Sequence, residues 1–194
     1  EEIMDIKVPE RAKFLRVFWS ELSRVHSHLL WLGLAADAAG FESLFMHCWR
    51  IREKILDIFE ATTGGRVIFS VCKVGGVRKD ISNDDLKAIS AKLRSIEEEC
   101  HSVTGVFKTD YSVHKRFCGV GVMTKAEAMK LGAVGPTLRG SGVEEDARKL
   151  HYAAYGVLDF DPVVETAGDC QARCMVRCRE VYQSFDLMRQ AVSK

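Results

Sequence analysis

The chain has 194 residues, 47% of them hydrophobic and 28% charged, with Pro only 3 times, which places it outside the disordered and low-complexity classes and gives it enough length for a substantial core. Lysine and arginine total 28 against 27 acidic residues, so a formal net charge of +1 supplies no field to hold a polyanion, and nucleic acid is not an expected partner. No run approaches the ~18 apolar residues of a bilayer-spanning helix, and the opening EEIMDIKVPE reads as neither a signal nor a transit peptide, so a soluble, intracellular chain is expected.

Pro9 suits the first turn of a helix, where a missing backbone N–H costs nothing. Leu15, Phe18, Leu22, Val25, Leu29 and Leu32 then recur at steps of three and four and predict a long amphipathic helix over 9–38. Beside them runs a second seam, Phe14, Val17, Glu21, Arg24, His28, Trp31 and Ala35, apolar at both ends and ionisable in the middle. A helix with two adjacent seams belongs at the centre of its fold. Past Gly40, a natural C-terminal stop, the spacing of Leu44, Cys48, Ile51, Ile55 and Ile58, flanked by Phe45, Trp49, Arg52, Leu56 and Phe59, predicts a second helix over 42–62. Gly64-Gly65 ends it, and β-branched and aromatic residues between 67 and 74, closed by Gly75-Gly76, predict a short strand or hairpin.

Ser82, Asn83 and Asp84 offer N-caps for a third helix over 83–104. Glycines and prolines break up 105–167, leaving short helices near 124–131 and 142–150. A last long helix over 168–191 carries Cys174, Cys178, Val181, Phe185 and Met188 on one seam. The expected fold is mainly α, a helical bundle of four long helices with a small β hairpin and a glycine-rich connector, in one domain over 1–194.

Glu21, Arg24 and His28, at i, i+3 and i+7 on an apolar stripe, must be paired or wetted. Arg52 and Glu53 interrupt the second helix in a comparable way, so the expected pairing is Glu21 with Arg52. Such a cluster serves either as an ion-pair network that sets helix register or as a proton path or cofactor-facing site.

The seven cysteines read as thiols of a reducing compartment. Cys170, Cys174 and Cys178 drift about 40° around a helix at each step of four, and no C-x2-C occurs, so free buried thiols are expected, with a thiol redox sensor as the rival. His47-Cys48 is read as packing. No metal or other cofactor is expected in this stretch of chain.

The run 132–142, rich in glycine, looks like a phosphate cradle, but Ser141 and Glu144 form a capping-box pattern, and Glu144, Glu145 and Asp146 would repel a phosphate. Gly119-x-Gly121 lacks the rest of a dinucleotide fingerprint. Arg139, which no cap explains, is expected to face a cavity or a partner subunit.

Four stretches together resemble one family: SELSRVHSHLLWLG at 20–33, FMHCWRIREKILDIFEATTGGR at 45–66 with the KVGGVRKDI that follows, GAVGPTLRGSGVEEDARK at 132–149, and GDCQARCMVRCREV from 168. They look like the catalytic large subunit of energy-converting, membrane-associated nickel–iron hydrogenases, a family that includes the 49-kDa-type subunit of NADH:quinone oxidoreductase. The resemblance covers nearly the whole chain in order, and Phe41-Glu42-Ser43-Leu44-Phe45-Met46 leans toward the hydrogenase branch. It implies the middle of a subunit about twice as long. The C-x2-C pairs that hold nickel and the β-rich region that supplies quinone contacts are both absent, so no nickel or quinone ligand is assigned.

Residue by residue, Glu21, Arg24 and His28 match the family's E-x2-R-x3-H, Arg52 and Glu53 its R-E-K, and Arg139 the arginine of its G-P-x-x-R-x-S-G. The resemblance places these around a buried pocket and its proton routes. Asp37 stands where related hydrogenases often carry histidine, which argues against a relay there. The implied role is the core of an oxidoreductase large subunit, cytoplasmic and peripheral to the membrane within a complex, exchanging electrons with an iron–sulfur small subunit. A nickel–iron centre would belong to the intact subunit, and the chain alone is expected to be catalytically silent. The rival readings are a 49-kDa-type subunit of NADH:quinone oxidoreductase, passing electrons to quinone, and a non-catalytic helical scaffold in such a complex.

Overall fold

A computed structural model describes residues 1–194. Helix α1 spans Glu10–Ala38, with Pro9 as its N-cap. It stops where Gly40 takes φ +80° and the Phe41 N–H reaches back to the Ala36 carbonyl at 2.8 Å, the six-to-one bond of a glycine-terminated helix. α2 follows at Glu42–Thr63 and ends on Gly64, also at positive φ. The extended run beyond it condenses to a tight hairpin, β1 (Cys72–Lys73) antiparallel to β2 (Gly76–Val77), with Lys73 opposite Gly76.

α3, Asn83–Thr109, begins where the Ser82 hydroxyl accepts the Asp85 N–H, and it continues past the expected end at 104. Asp110 then caps an unforeseen short helix, α4 (Tyr111–Phe117), by accepting the Val113 N–H at 3.0 Å. In the connector, α5 (Lys125–Lys130) carries a capping box, but it is Thr124 with Glu127. The short α6 covers Gly135–Arg139, and α7 runs from Cys170 to Ser193 on an Asp169 N-cap.

The helix expected over 142–150 is not formed. Gly142 adopts φ +81°, the Ser141 hydroxyl donates to the Met123 carbonyl at 2.9 Å, and only a 3-10 turn, Ala147–Leu150, appears. Glu144 and Glu145 are exposed and cap nothing. That stretch instead carries Asp146 and Arg148 into the interior.

The four long helices form the expected bundle, with α1 packed against α2 on one side and α7 on the other, and α3 against α7 and α2. Leu22, Val25, Leu29 and Leu32 of α1 are fully buried and join Ile51 and Ile55 of α2, Val103 and Phe107 of α3 and Val181 of α7 in one continuous core. A smaller cluster, Val17, Ala154, Tyr155, Leu158, Leu187 and Ala191, clamps the connector onto α1 and α7. No helix is long and apolar enough to cross a membrane.

Candidate functional site

The ionisable middle of α1 meets a matching interruption on α7. The helices run antiparallel, so Glu21 lies opposite Ser184, and His28 opposite Glu180. Glu21 is fully buried. Its carboxylate accepts from Tyr155 Oη at 2.5 Å and Ser184 Oγ at 2.6 Å, with Arg24 Nε at 3.3 Å and Arg148 Nη1 at 3.4 Å. Glu180, also fully buried, accepts from Arg139 through Nε at 2.8 Å and Nη2 at 2.6 Å, and from His28 Nε2 at 2.7 Å. Asp146 joins the two halves: Arg148 donates to it through Nε and Nη2, and Arg139 Nη1 lies 3.7 Å away.

Three carboxylates and three arginines thus balance within one cluster, buried except at the partly exposed Arg24, and each carboxylate has a charged or hydroxyl donor, as a buried ion must. Arg177, one turn along α7, packs over the Trp31 ring at 3.7 Å.

Burial pushes Glu180 up, but the His28 hydrogen bond and the Arg139 and Arg24 charges outweigh it and hold the carboxyl below its usual range. Burial likewise opposes ionisation of Asp146, and the Arg148 hydrogen bonds bring it to about 2. His28 is held below the ordinary imidazole value by burial, against the pull of Glu180 and with the push of Arg24 and Arg177. Burial and Glu21 raise the Tyr155 phenol. Because an ionised Glu180 can only accept, His28 Nε2 carries the hydrogen and donates it.

Glu21, Arg24 and His28 come together as their spacing implied. The expected Glu21–Arg52 pair does not exist: Arg148, from the connector, occupies that position, and Arg52 turns to the other face of α1, where Nη2 donates to His26 Nε2 at 2.7 Å. Glu53 is exposed and pairs with Arg66 at 2.6 Å. Arg139 faces neither cavity nor surface; only 3% exposed, it is committed to Glu180.

Glu180 and Ser184 were missed, although Arg177, Glu180 and Ser184 repeat on α7 the i, i+3, i+7 interruption of α1. Asp146, Arg148 and Tyr155 lie in irregular chain, where no periodicity marks burial. Cys174 and Cys178 are buried, Cys174 held at about 12 and Cys178 well up by desolvation, which overturns the thiol-sensor alternative for this pair.

The arrangement is a four-helix bundle with an ion cluster between its central and last helices. The sequence model described as the respiratory-chain NADH dehydrogenase 49 Kd subunit matches residues 38–194, and the chain belongs to that family. The C/D subunit of NADH-quinone oxidoreductase from Phocaeicola vulgatus is 42% identical over 99% of this chain and 37% of its own length. The D-type subunit of F(420)H(2) dehydrogenase from Methanosarcina mazei is 40% identical over 99% of this chain and 52% of its own length. The alpha subunit of the membrane-bound hydrogenase from Pyrococcus furiosus is 37% identical over 100% of this chain and 47% of its own length. The chain spans between about a third and about half the length of these curated relatives.

A nickel–iron centre, implied by the hydrogenase side of the resemblance, does not fit the residues present. No three His, Cys, Asp or Glu side chains gather into a metal-holding group, and the buried thiols resist the deprotonation a metal requires.

Proposed function

We propose that this chain is the helical core of the large subunit of an energy-converting oxidoreductase complex, associated peripherally with a membrane and exchanging electrons with an iron–sulfur partner subunit. Within it the α1–α7 cluster accepts a proton when negative charge arrives nearby. The observation that carries this reading is the buried contact of His28 Nε2 with Glu180 at 2.7 Å, inside a cluster of ion pairs. Histidine is the residue type in that cluster whose ordinary range lies nearest neutrality. An added negative charge next to it would raise its proton affinity, opposing the burial that now lowers it.

The relatives' names include both membrane-bound hydrogenase and NADH-quinone oxidoreductase, and nothing in the cluster prefers one electron acceptor. The rival, a non-catalytic scaffold, would use the same ion pairs for helix register alone.

The test is to isolate the complex through a tag on this chain and to measure hydrogen-dependent dye reduction and NADH-dependent quinone reduction. A His28→Gln variant that keeps its melting temperature should lower turnover and alter the pH profile in the range where histidine titrates. Unchanged turnover and profile in a folded His28→Gln complex would leave the scaffold reading standing.

A further inference from the structure

Arg52 is 7% exposed, yet no carboxylate lies within ion-pair distance of it. Its guanidinium rests over the Trp49 ring at 4.8 Å, and Nη2 donates to His26 Nε2 at 2.7 Å. Because a guanidinium only donates, His26 must accept at Nε2 and so cannot neutralise the arginine. Nε is enclosed without a partner. Nη1 is neither hydrogen-bonded nor enclosed, and is the open corner of the group. Glu53, the adjacent acid, is held away in the exposed pair with Arg66.

Buried cations are ordinarily paired, and this one is fixed, desolvated and without a counter-ion. Aromatic rings continue from it along α2. His26 stands edge-on to Phe59 at 6.3 Å, and Phe69 stacks on the same ring at 4.4 Å, which brings the loop after α2 alongside. On that loop Ile68 is 93% and Val67 58% exposed. A preorganised arginine seated on an indole is the kind of anchor that interface hot spots use, and Val67 and Ile68, on the loop that packs through Phe69, lie uncovered.

We propose that Arg52, seated on Trp49 and steadied by His26, receives a carboxylate carried by a partner polypeptide that docks across the α1–α2 face and covers Val67 and Ile68. The carboxylate oxygen accepts from Nη1 and supplies the missing counter-charge. A free small anion fits less well, because a single open N–H corner offers it little grip and leaves the aliphatic loop bare. The existence of a partner rests on the multisubunit reading above; the unpaired guanidinium does not.

Two measurements decide it. In the purified chain, Arg52→Met should leave the melting temperature unchanged or higher, since no internal ion pair is lost; a marked fall would make Arg52 an internal structural residue and overturn the proposal. In the tagged complex, Arg52→Gln should weaken retention of one partner polypeptide roughly tenfold, the effect of one charged hydrogen bond, while Arg52→Lys restores part of it. A photo-crosslinking residue in place of Ile68 should capture that polypeptide through a segment containing Asp or Glu. Full retention in Arg52→Gln, with wild type also retaining its partners, sinks the proposal and spares the complex; a wild-type chain that retains no polypeptide at any salt concentration sinks both.

Discussion

Glu180 and Glu53 are both glutamates with an arginine at 2.6 Å, and their surroundings make them opposites. Changing Glu180 to Gln strands Arg139 and His28 in an interior that cannot solvate them and should cost about 3–5 kcal/mol, whereas Glu53→Gln should fall within about 0.5 kcal/mol of wild type. Paired thermal melts check this. The pH response follows from the same groups. His28 has a folded pKa below its ordinary 6.5, so as pH falls below that value the unfolded chain takes up a proton that the folded chain refuses, and stability declines. Glu180 and Asp146, whose folded pKa values are also lowered, add their losses further down, Asp146 between 3.8 and about 2. Denaturant titrations at pH 7.5 and 5.5 should therefore show lower stability at the acid end, with a smaller difference in His28→Gln. An unchanged difference would move the effect to another group, such as the half-buried His26. At this scale Glu21, Arg24 and His28 were legible because charge on an apolar seam is conspicuous. Their partners were not, since periodicity says which face a residue occupies and not what arrives from a loop.

Elements reveal themselves in proportion to their length. The four long helices repeat their apolar spacing over five turns or more, so their faces and most of their ends could be read directly. α4 could not, because its buried side chains are Val113 and Phe117 alone, one step of four. The 142–150 stretch misled for a different reason: its acids resemble a helix start, but Glu144 and Glu145 are exposed, and Asp146 turns inward to the Arg148 side chain and caps only the 3-10 turn. Two substitutions probe the elements themselves. Gly33→Ala improves helix propensity by up to about 1 kcal/mol, yet its Cβ would stand 2.8 Å from Trp49 Cδ1 and 3.2 Å from Cys48 Cβ. The crowding of α1 against α2 should win, with a net loss of about 1 kcal/mol or more and a red-shift of tryptophan emission if the indole is displaced. Thr124→Ala removes the capping box of α5 and should cost about 0.5–2 kcal/mol, read as faster amide exchange confined to 125–130.

Across the whole molecule α1 acts as the hub, because α2 and α7 share no stabilising partner as extensive as the helix between them. Cys48 of α2, Cys100 of α3 and Cys174 and Cys178 of α7 are buried in the same core that α1 organises, while Cys72 and Cys118 are exposed. If the bundle opens as one unit, the four buried thiols report one event from three helices. Thiol labelling in mild denaturant should then show Cys72 and Cys118 reacting at once and the four buried thiols reacting together, at a rate set by global unfolding. Leu29→Ala, at a fully buried hub position, should cost about 2–5 kcal/mol and accelerate all four equally. A split, with Cys174 and Cys178 labelling ahead of Cys48 and Cys100, would mean that α7 detaches first. The ion cluster between α1 and α7 would then be the weak seam of the bundle, and its buried charges would serve chemistry at the expense of cohesion.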